Sequence, residues 1–579
     1  MPDRSPIPAP QQSRPLVERL RRHRRRLVLL GAAGAALAVV TSASALGTVR
    51  LSPVAAQPKA AGMAAPNVLS HQLTEAIVAQ GSMPLENPSA DGVVAYYGYL
   101  ADGSPMLPTS FTAPAEAQKT EPDKNTYLVL PGQHGADAGT RYGRHFLYQG
   151  HELGPRGYIT RVNLDADAAH RVTLLASTQV ATANLPAGNL PVYDGSAWNP
   201  FTRTLLFSSE GNGTATGGVW EATPDFPSTV VDRLGLFGRG GYEGIQEDGD
   251  GNIWLVEDIG GKTGTAGAGL ATNNAKQPNS FLFRFVPYVK GDLGAGGRLQ
   301  VLQVKGTDGN AVTFTGGDAP TQAQVDADAT STFMRDLHTY GSSFATRWIT
   351  IHDTATDGTA TFNANALAKA RGGTPFKRPE NGQFRPASGF TDFLFTETGD
   401  TSATSGANGP SGASFGGWGG VLRLTQAGPS SSTGTLRPFF LGDINHTGLD
   451  NITFLDRDQV IVVEDAGDGL HTSRGTLDSA FVLPMVQPGR APAPVRFLGE
   501  GRDPSATIDS ASGGLGKNEG DNEITGIHVS DGDPSVRGLI GANEPQFLHP
   551  GDKGAGAWRL FWTQQHGDNM TWEVTLTDR

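Results

Sequence analysis

The sequence predicts an all-β fold, a β-propeller of about five to six irregular blades with long loop insertions and little helix. Three observations carry that expectation. Six apolar, β-type runs each end in an acidic or amide residue followed by glycine or a turn: FLYQGHELG (146–154), LLFSSEGNG (205–213), NIWLVEDIGG (252–261), DFLFTETGD (392–400), QVIVVEDAGDG (459–469) and RLFWTQQHGD (559–568). Gly (77) and Pro (38) together make up about a fifth of the 579 residues while only 18% are charged, a turn-rich composition. The runs recur at irregular spacing, which excludes a short fixed-period array but suits divergent blades carrying insertions. A β-sandwich accommodates the strands equally well but leaves their shared acidic ends unexplained.

In chain order, the N-terminus reads as an export signal over 1–45. Basic RLRRHRRR (19–26) precedes apolar LVLLGAAGAALAVV (27–40), too short to span a bilayer comfortably, and Ala43-Ser44-Ala45 forms a small-residue cleavage pattern. An uncleaved signal anchor is the alternative. The adjacent arginines match the twin-arginine export route only in part. After cleavage near Leu46 no membrane association is expected, since no later segment is long and apolar enough. Residues 46–69 read as a linker, and 70–579 as one propeller domain.

Formal charge is -12, and removing the first 45 residues, with eight Arg and two acids, leaves -18. An acidic body argues against nucleic acid and suits cations. The absence of cysteine excludes disulfides, thiolate-zinc sites, iron-sulfur clusters and cysteine nucleophiles.

Within the body, NANALAKARG (363–372) is the best helix candidate, with an Asn cap and a terminal Gly. Three Gly/Ser-rich stretches (260–280, 399–420 and 503–522) read as loop insertions. Asp248-Gly-Asp250-Gly-Asn252 resembles the start of a calcium loop, but lacks the later bidentate Glu and reads first as a hairpin turn. For Glu464-Asp465-Ala466-Gly467-Asp468 the turn and the cation site remain level, because three crowded carboxylates repel unless screened. His151 reads as a solvated loop histidine before it reads as a ligand. Arg378 and Glu380 flank Pro379, whose ring fixes their directions; the pair serves equally as a salt bridge or as a phosphate clamp beside a metal ligand.

LAKARGGTPFKRPE (367–380) resembles the segment leading through the Arg-Pro-Glu motif of the PhoX-type alkaline phosphatases, secreted β-propeller enzymes. Similar pieces follow the family order: GHEL (150–153), FSSEGN (207–212), GLFGRGGYEGI (235–245), NSFLFRFVP (279–287), LGAGGRLQV (293–301), GLDNITF (448–454), NEITG (522–526) and FWTQQHGD (561–568). The resemblance spans roughly residues 140 to 575, and ordered co-occurrence of weak motifs outweighs any one of them. It implies hydrolysis of phosphate monoesters at a calcium and iron cluster held mainly by carboxylates, acting on small phosphorylated substrates as a monomer. On matching positions, Glu210, Glu243 and Glu380 are the implied metal ligands, Arg378 the phosphate contact, and Glu152, Glu464 and Glu523 outer or calcium ligands.

One departure bears on the metal. Where the family pattern has a cysteine followed by two glutamates, this chain reads Ser209-Glu210-Gly211. A neutral hydroxyl is a poor iron ligand, whereas carboxylates and water suit calcium, so calcium is the expected ion and iron is in doubt. Two further readings stand beside the phosphatase. A calcium-dependent propeller hydrolase of another ester class would need a general base, for which His151 and His566 are candidates. A noncatalytic secreted propeller would bind glycan or protein.

Overall fold

The computed structural model describes residues 49–577 except 60–64, 107–116, 178–189, 212–214, 265–275, 318, 401–413, 503–522 and 550–556. The expected export segment and much of the three Gly/Ser-rich insertions lie outside the described residues. Strands β1 (Val68–Leu69) and β2 (Leu73–Ala79) come first in the chain but complete the last two blades. Blade one is β3 (Pro122–Val129), β4 (His145–His151), β5 (Ile159–Asn163) and β6 (Val172–Ala176). Blade two is β7 (Ser196–Asn199), β8 (Thr204–Ser209), β9 (Gly218–Ala222) and β10 (Val230–Asp232).

Blade three contains β11 (Tyr242–Glu247), β12 (Ile253–Glu257), β13 (Leu282–Val289) and β14 (Asp292–Val304). An extra strand, β15 (Phe344–Asp353), pairs with β14 on one side and reaches blade four on the other. That blade is β16 (Pro379–Phe384), β17 (Asp392–Glu397), β18 (Gly420–Gln426) and β19 (Thr433–Leu441), so blades three and four share one continuous sheet. Blade five is β20 (Leu449–Asp456), β21 (Gln459–Glu464), β22 (Ser479–Pro484) and β23 (Val495–Gly499), with β1 outermost. Blade six is β24 (Ile524–Ser530), β25 (Arg559–Gln564) and β26 (Met570–Leu576), closed by β2 from the other end of the chain.

The innermost strands β3, β7, β11, β16, β20 and β24 adjoin one another in a closed ring. The fold is therefore a six-bladed propeller, at the upper end of the expected blade count. Packed blades bury both faces of their sheets, which is why inner runs such as IWLVE of β12 are buried at every position instead of alternating. Aromatic contacts tie together strands that are not paired: Trp254 of β12 sits edge-on to Trp348 of β15 and tilted against Phe393 of β17 in blade four.

Local expectations fare unevenly. The helix spans Ala364–Arg371, with the Asn363 side chain capping its N-terminus and Gly372 in the left-handed conformation at its end. Asp248 forms a turn, accepting from the backbone N–H of Asp250 (2.9 Å) and Asn252 (3.0 Å) and from Trp254 Nε1 (3.0 Å). Within the stretch expected as a linker, 46–69, the described part is hydrogen-bonded to the body. Val49 N donates to Leu548 O, Val54 N donates to Arg496 O, and β1 pairs with β23, so the segment is laid along the body by backbone hydrogen bonds.

Candidate metal centre

Propeller topology gathers acids at one end of the ring. Each innermost strand starts at the end where the second strand of its blade finishes: Pro122 pairs with His151, Tyr242 with Glu257, Pro379 with Glu397, Leu449 with Glu464 and Ile524 with Gln564. The six acid- or amide-ended runs are thus the six second strands, one per blade. A second ring of acids stands at the starts of the innermost strands: Asp123, Asp194, Glu243, Glu380, Asp450 and Glu523.

Two groups form where these rings meet. In the first, Glu210, Glu243, Asp258 and Glu380 each place one carboxylate oxygen within 4.8 Å of the others. Glu210 follows β8, Asp258 follows β12, and Glu243 and Glu380 are second residues of their strands. Gly244 permits the approach of the last two, since a Cβ there would lie 2.8 Å from Glu380 O. Asn381 Nδ2 donates to Glu243 Oε1 at 2.9 Å, which fixes the plane of that carboxylate. Glu380 Oε1 is buried and accepts no hydrogen bond, although Arg378 Nη2 stands 3.3 Å away.

Asp123, Glu152 and Asp194 make the second group, with the same 4.8 Å closeness. Gln565 Nε2 donates to Glu152 Oε2 at 3.1 Å, and Thr525 Oγ1 donates to Asp123. Asp194 Oδ1 is buried and has no hydrogen-bond partner. Lys124 lies beneath, its Nζ 3.4 Å from Asn381 Oδ1, with burial pulling its pKa down against the attraction of Asp123.

Burial, then the charge of neighbouring acids, pushes five of these carboxyls up. Glu210, Glu243 and Asp194 stand well above the ordinary carboxylate range, burial being the main cause and neighbouring acids the next. Glu152 is raised to about 8, by burial first and then by Asp123. Glu380 is raised to about 7 by burial and Asp258, with Arg378 opposing. Seven acids in two adjoining groups require protons or cations to neutralise them. All the gathered side-chain donors are oxygens, some with lone pairs unused, a set suited to a hard ion such as calcium.

Arg378 closes one side. Its Nε lies 3.0 Å and its Nη2 2.7 Å from Asp258 Oδ2, and its backbone adopts a left-handed φ of 49°. Burial alone would lower the guanidinium pKa, but Asp258 and Glu380 outweigh it and keep the group charged. Lys377 N donates to Glu397 Oε1 (3.0 Å) and Lys377 Nζ pairs with both oxygens of Asp400 (3.1 Å each), while His338 Nε2 lies 3.0 Å from Glu397 Oε2. These buried pairs hold the segment on which Arg378 sits.

The structure thus brings Glu210, Glu243 and Glu380 together and sets Glu152 in the adjoining group. Neither of the other two expected ligands belongs to these two groups, although Glu523 lies close enough to Glu152 and Asp123 to interact with their charges. Glu464 is engaged by Arg474 Nη1 at 2.8 Å and by Thr447 N at 3.1 Å, so its charge is already balanced by an arginine. Glu523 stands 3.4 Å from His566 Nε2. His151 departs from the solvated expectation: it is fully buried, stacked on Tyr158, with Nε2 2.9 Å from Thr160 Oγ1. Sequence reasoning missed Asp258, although it lies in one of the six runs, and also Asp123 and Asp194, which precede or begin innermost strands without a motif.

Comparison with known proteins adds a fold likeness. No family model and no curated protein sequence matches. Among solved structures, PhoX from Pseudomonas fluorescens in complex with vanadate, a transition state analogue, is similar over 91% of this chain and 98% of its own, with a TM-score of 0.51 and 13% identity. A gluconolactonase from Xanthomonas campestris matches over 89% of this chain and 98% of its own, at a TM-score of 0.31 and 11% identity. The second value is too low to bear on function. The first shows a shared propeller fold.

Proposed function

We propose that this protein is a metal-dependent hydrolase of phosphate monoesters with calcium as its principal ion. The observation that carries the reading is the convergence of Glu210, Glu243, Asp258 and Glu380, from blades two, three and four, beside a charged Arg378. The likeness in fold to a PhoX structure holding a transition-state analogue supports the same chemistry. Small phosphorylated molecules are the substrates, and the chain acts as a monomer after export. The all-oxygen donor set favours calcium over iron.

Glu210, Glu243, Asp258 and Glu380 would hold one ion, and Asp123, Glu152 and Asp194 another. Bound calcium supplies the positive charge that lets an acidic face accept a phosphate dianion and that acidifies water. Arg378 binds the phosphoryl oxygens and stabilises charge that develops on them during in-line displacement. Asp258 orients the guanidinium through its two contacts, and the Lys377–Asp400 and His338–Glu397 pairs keep the backbone of Arg378 in place. No serine nucleophile is needed.

Elemental analysis of purified protein, together with hydrolysis of a chromogenic phosphate monoester with and without calcium and chelator, tests the reading. Calcium-bound protein whose turnover is lost to chelator and restored by calcium is expected. Protein that binds no calcium, or binds it and leaves phosphate monoesters untouched, overturns it.

A further inference from the structure

A cleft of about 370 Å³ opens between blades four and five, lined by Arg385, Arg423, Arg437 and Arg490. It lies away from the carboxylate rings. Arg385 follows the far end of β16, and the Asp458 turn joins β20 to β21 at the end opposite Glu464. Arg423 and Arg437 stand directly opposite each other across β18 and β19, an arrangement that costs stability when both charges are alike.

Carboxylates answer only half of that charge. Asp392 takes Arg423 in a bidentate pair, Nε to Oδ1 at 2.7 Å and Nη2 to Oδ2 at 2.6 Å. Arg385 Nη2 donates to Asp458 Oδ1 at 2.8 Å. Arg437 and Arg490 form no ion pair among the described residues, which leaves two positive charges in excess. The remaining walls include Pro438, Phe439, Met485 and Val486, so the cleft combines cationic and apolar lining.

We infer that this cleft is a second ligand site, distinct from the carboxylate centre, which binds a small organic dianion headed by a phosphate or carboxylate group. Planar guanidinium groups match both headgroups, and the volume fits a molecule of about a dozen heavy atoms. Two unpaired arginines balance a charge of minus two. The inference does not depend on the phosphatase reading, because none of its residues belongs to the carboxylate centre.

Isothermal titration of the full chain tests it, using Arg378→Ala protein treated with chelator to silence the central face. Phenylphosphonate represents the phosphate class, succinate the carboxylate class, and benzyl alcohol the uncharged control. One equivalent of phenylphosphonate or succinate is expected to bind, with affinity falling at least about tenfold in Arg437→Gln and recovering in part in Arg437→Lys. Arg490→Gln, at an exposed position, gives the same test should Arg437→Gln fail to fold. Binding of one dianion alone assigns the class. Absence of binding by both dianions, binding of benzyl alcohol with equal strength, or affinities unchanged by the arginine variants overturns the inference.

Discussion

Arg378 and Asp258 are held to each other across blades four and three, Nη2 to Oδ2 at 2.7 Å, while Asp258 also belongs to the four-carboxylate group. One acid therefore serves both an ion site and the cationic side chain beside it. Removing its charge affects both at once. Asp258→Asn is expected to weaken calcium binding and phosphate monoester turnover by about 10- to 100-fold each, as found for groups that orient metal sites. Calcium titration and steady-state kinetics on the same preparation check it; loss of turnover with unchanged calcium affinity would place Asp258 on Arg378 alone.

Glu380→Gln and Asp248→Ala separate ligand from turn. The first removes one oxygen charge from the centre and is expected to lower calcium content and abolish turnover. Asp248 is buried and accepts from Asp250 N, Asn252 N and Trp254 Nε1, so its replacement leaves donors unsatisfied. A loss of roughly 2–4 kcal/mol in denaturant unfolding, with calcium stoichiometry intact, is expected.

This contrast marks how far the sequence reaches. The six acid-ended runs are legible because a second strand and its terminal acid are contiguous, and they did indicate a radial β-fold. Asp123 and Asp194 are not legible, since Asp123 meets Glu152 across the β3–β4 pairing and Asp194 meets it from the neighbouring blade, and nothing beside them in the chain marks the encounter. Glu464 shows the converse. Its run is typical, but Arg474, ten residues on, turns back to pair with it, and acid-ended patterning carries no information about that partner.

Ser209 is fully buried and its Oγ has no hydrogen-bond partner. Introducing a thiol there with Ser209→Cys adds a soft donor next to Glu210. Iron content by elemental analysis is expected to rise relative to wild type after growth in iron-supplemented medium. An unchanged iron content means that the pocket is organised around another ion.

Lys377 and Asp400 form a buried ion pair with Nζ 3.1 Å from each carboxylate oxygen. Asp400→Ala leaves an uncompensated buried ammonium and is expected to cost about 3–5 kcal/mol, whereas the apolar pair Lys377→Met with Asp400→Leu recovers much of it. Thermal unfolding of the two variants at equal calcium gives the comparison.

Glu75 in β2 supplies a pH dependence remote from the metal centre. Burial raises its pKa from 4.5 to about 7, with Asn67 opposing. The folded state therefore favours the protonated form. Stability is highest below the unfolded value, declines as pH rises between the two values, and stays reduced above about 7. Glu75→Gln is expected to match wild type near pH 4 and to exceed it at pH 8 by an amount on the order of 3 kcal/mol. Urea unfolding at both pH values decides it, and an equal difference at the two would exclude Glu75 as the titrating group.

Because β2 completes the sheet begun by β24, β25 and β26, residues about five hundred positions apart are paired neighbours, as with Leu73 and Leu576. A chain still emerging from the ribosome can assemble five blades yet keeps a gap in its circumference until its last strand is released. Shortening the C-terminus by ten residues would strip away all of β26 and uncover two strand edges together, β2 and β25. Such a truncated chain should associate with itself through those edges, so the seam makes full-length synthesis a condition of solubility.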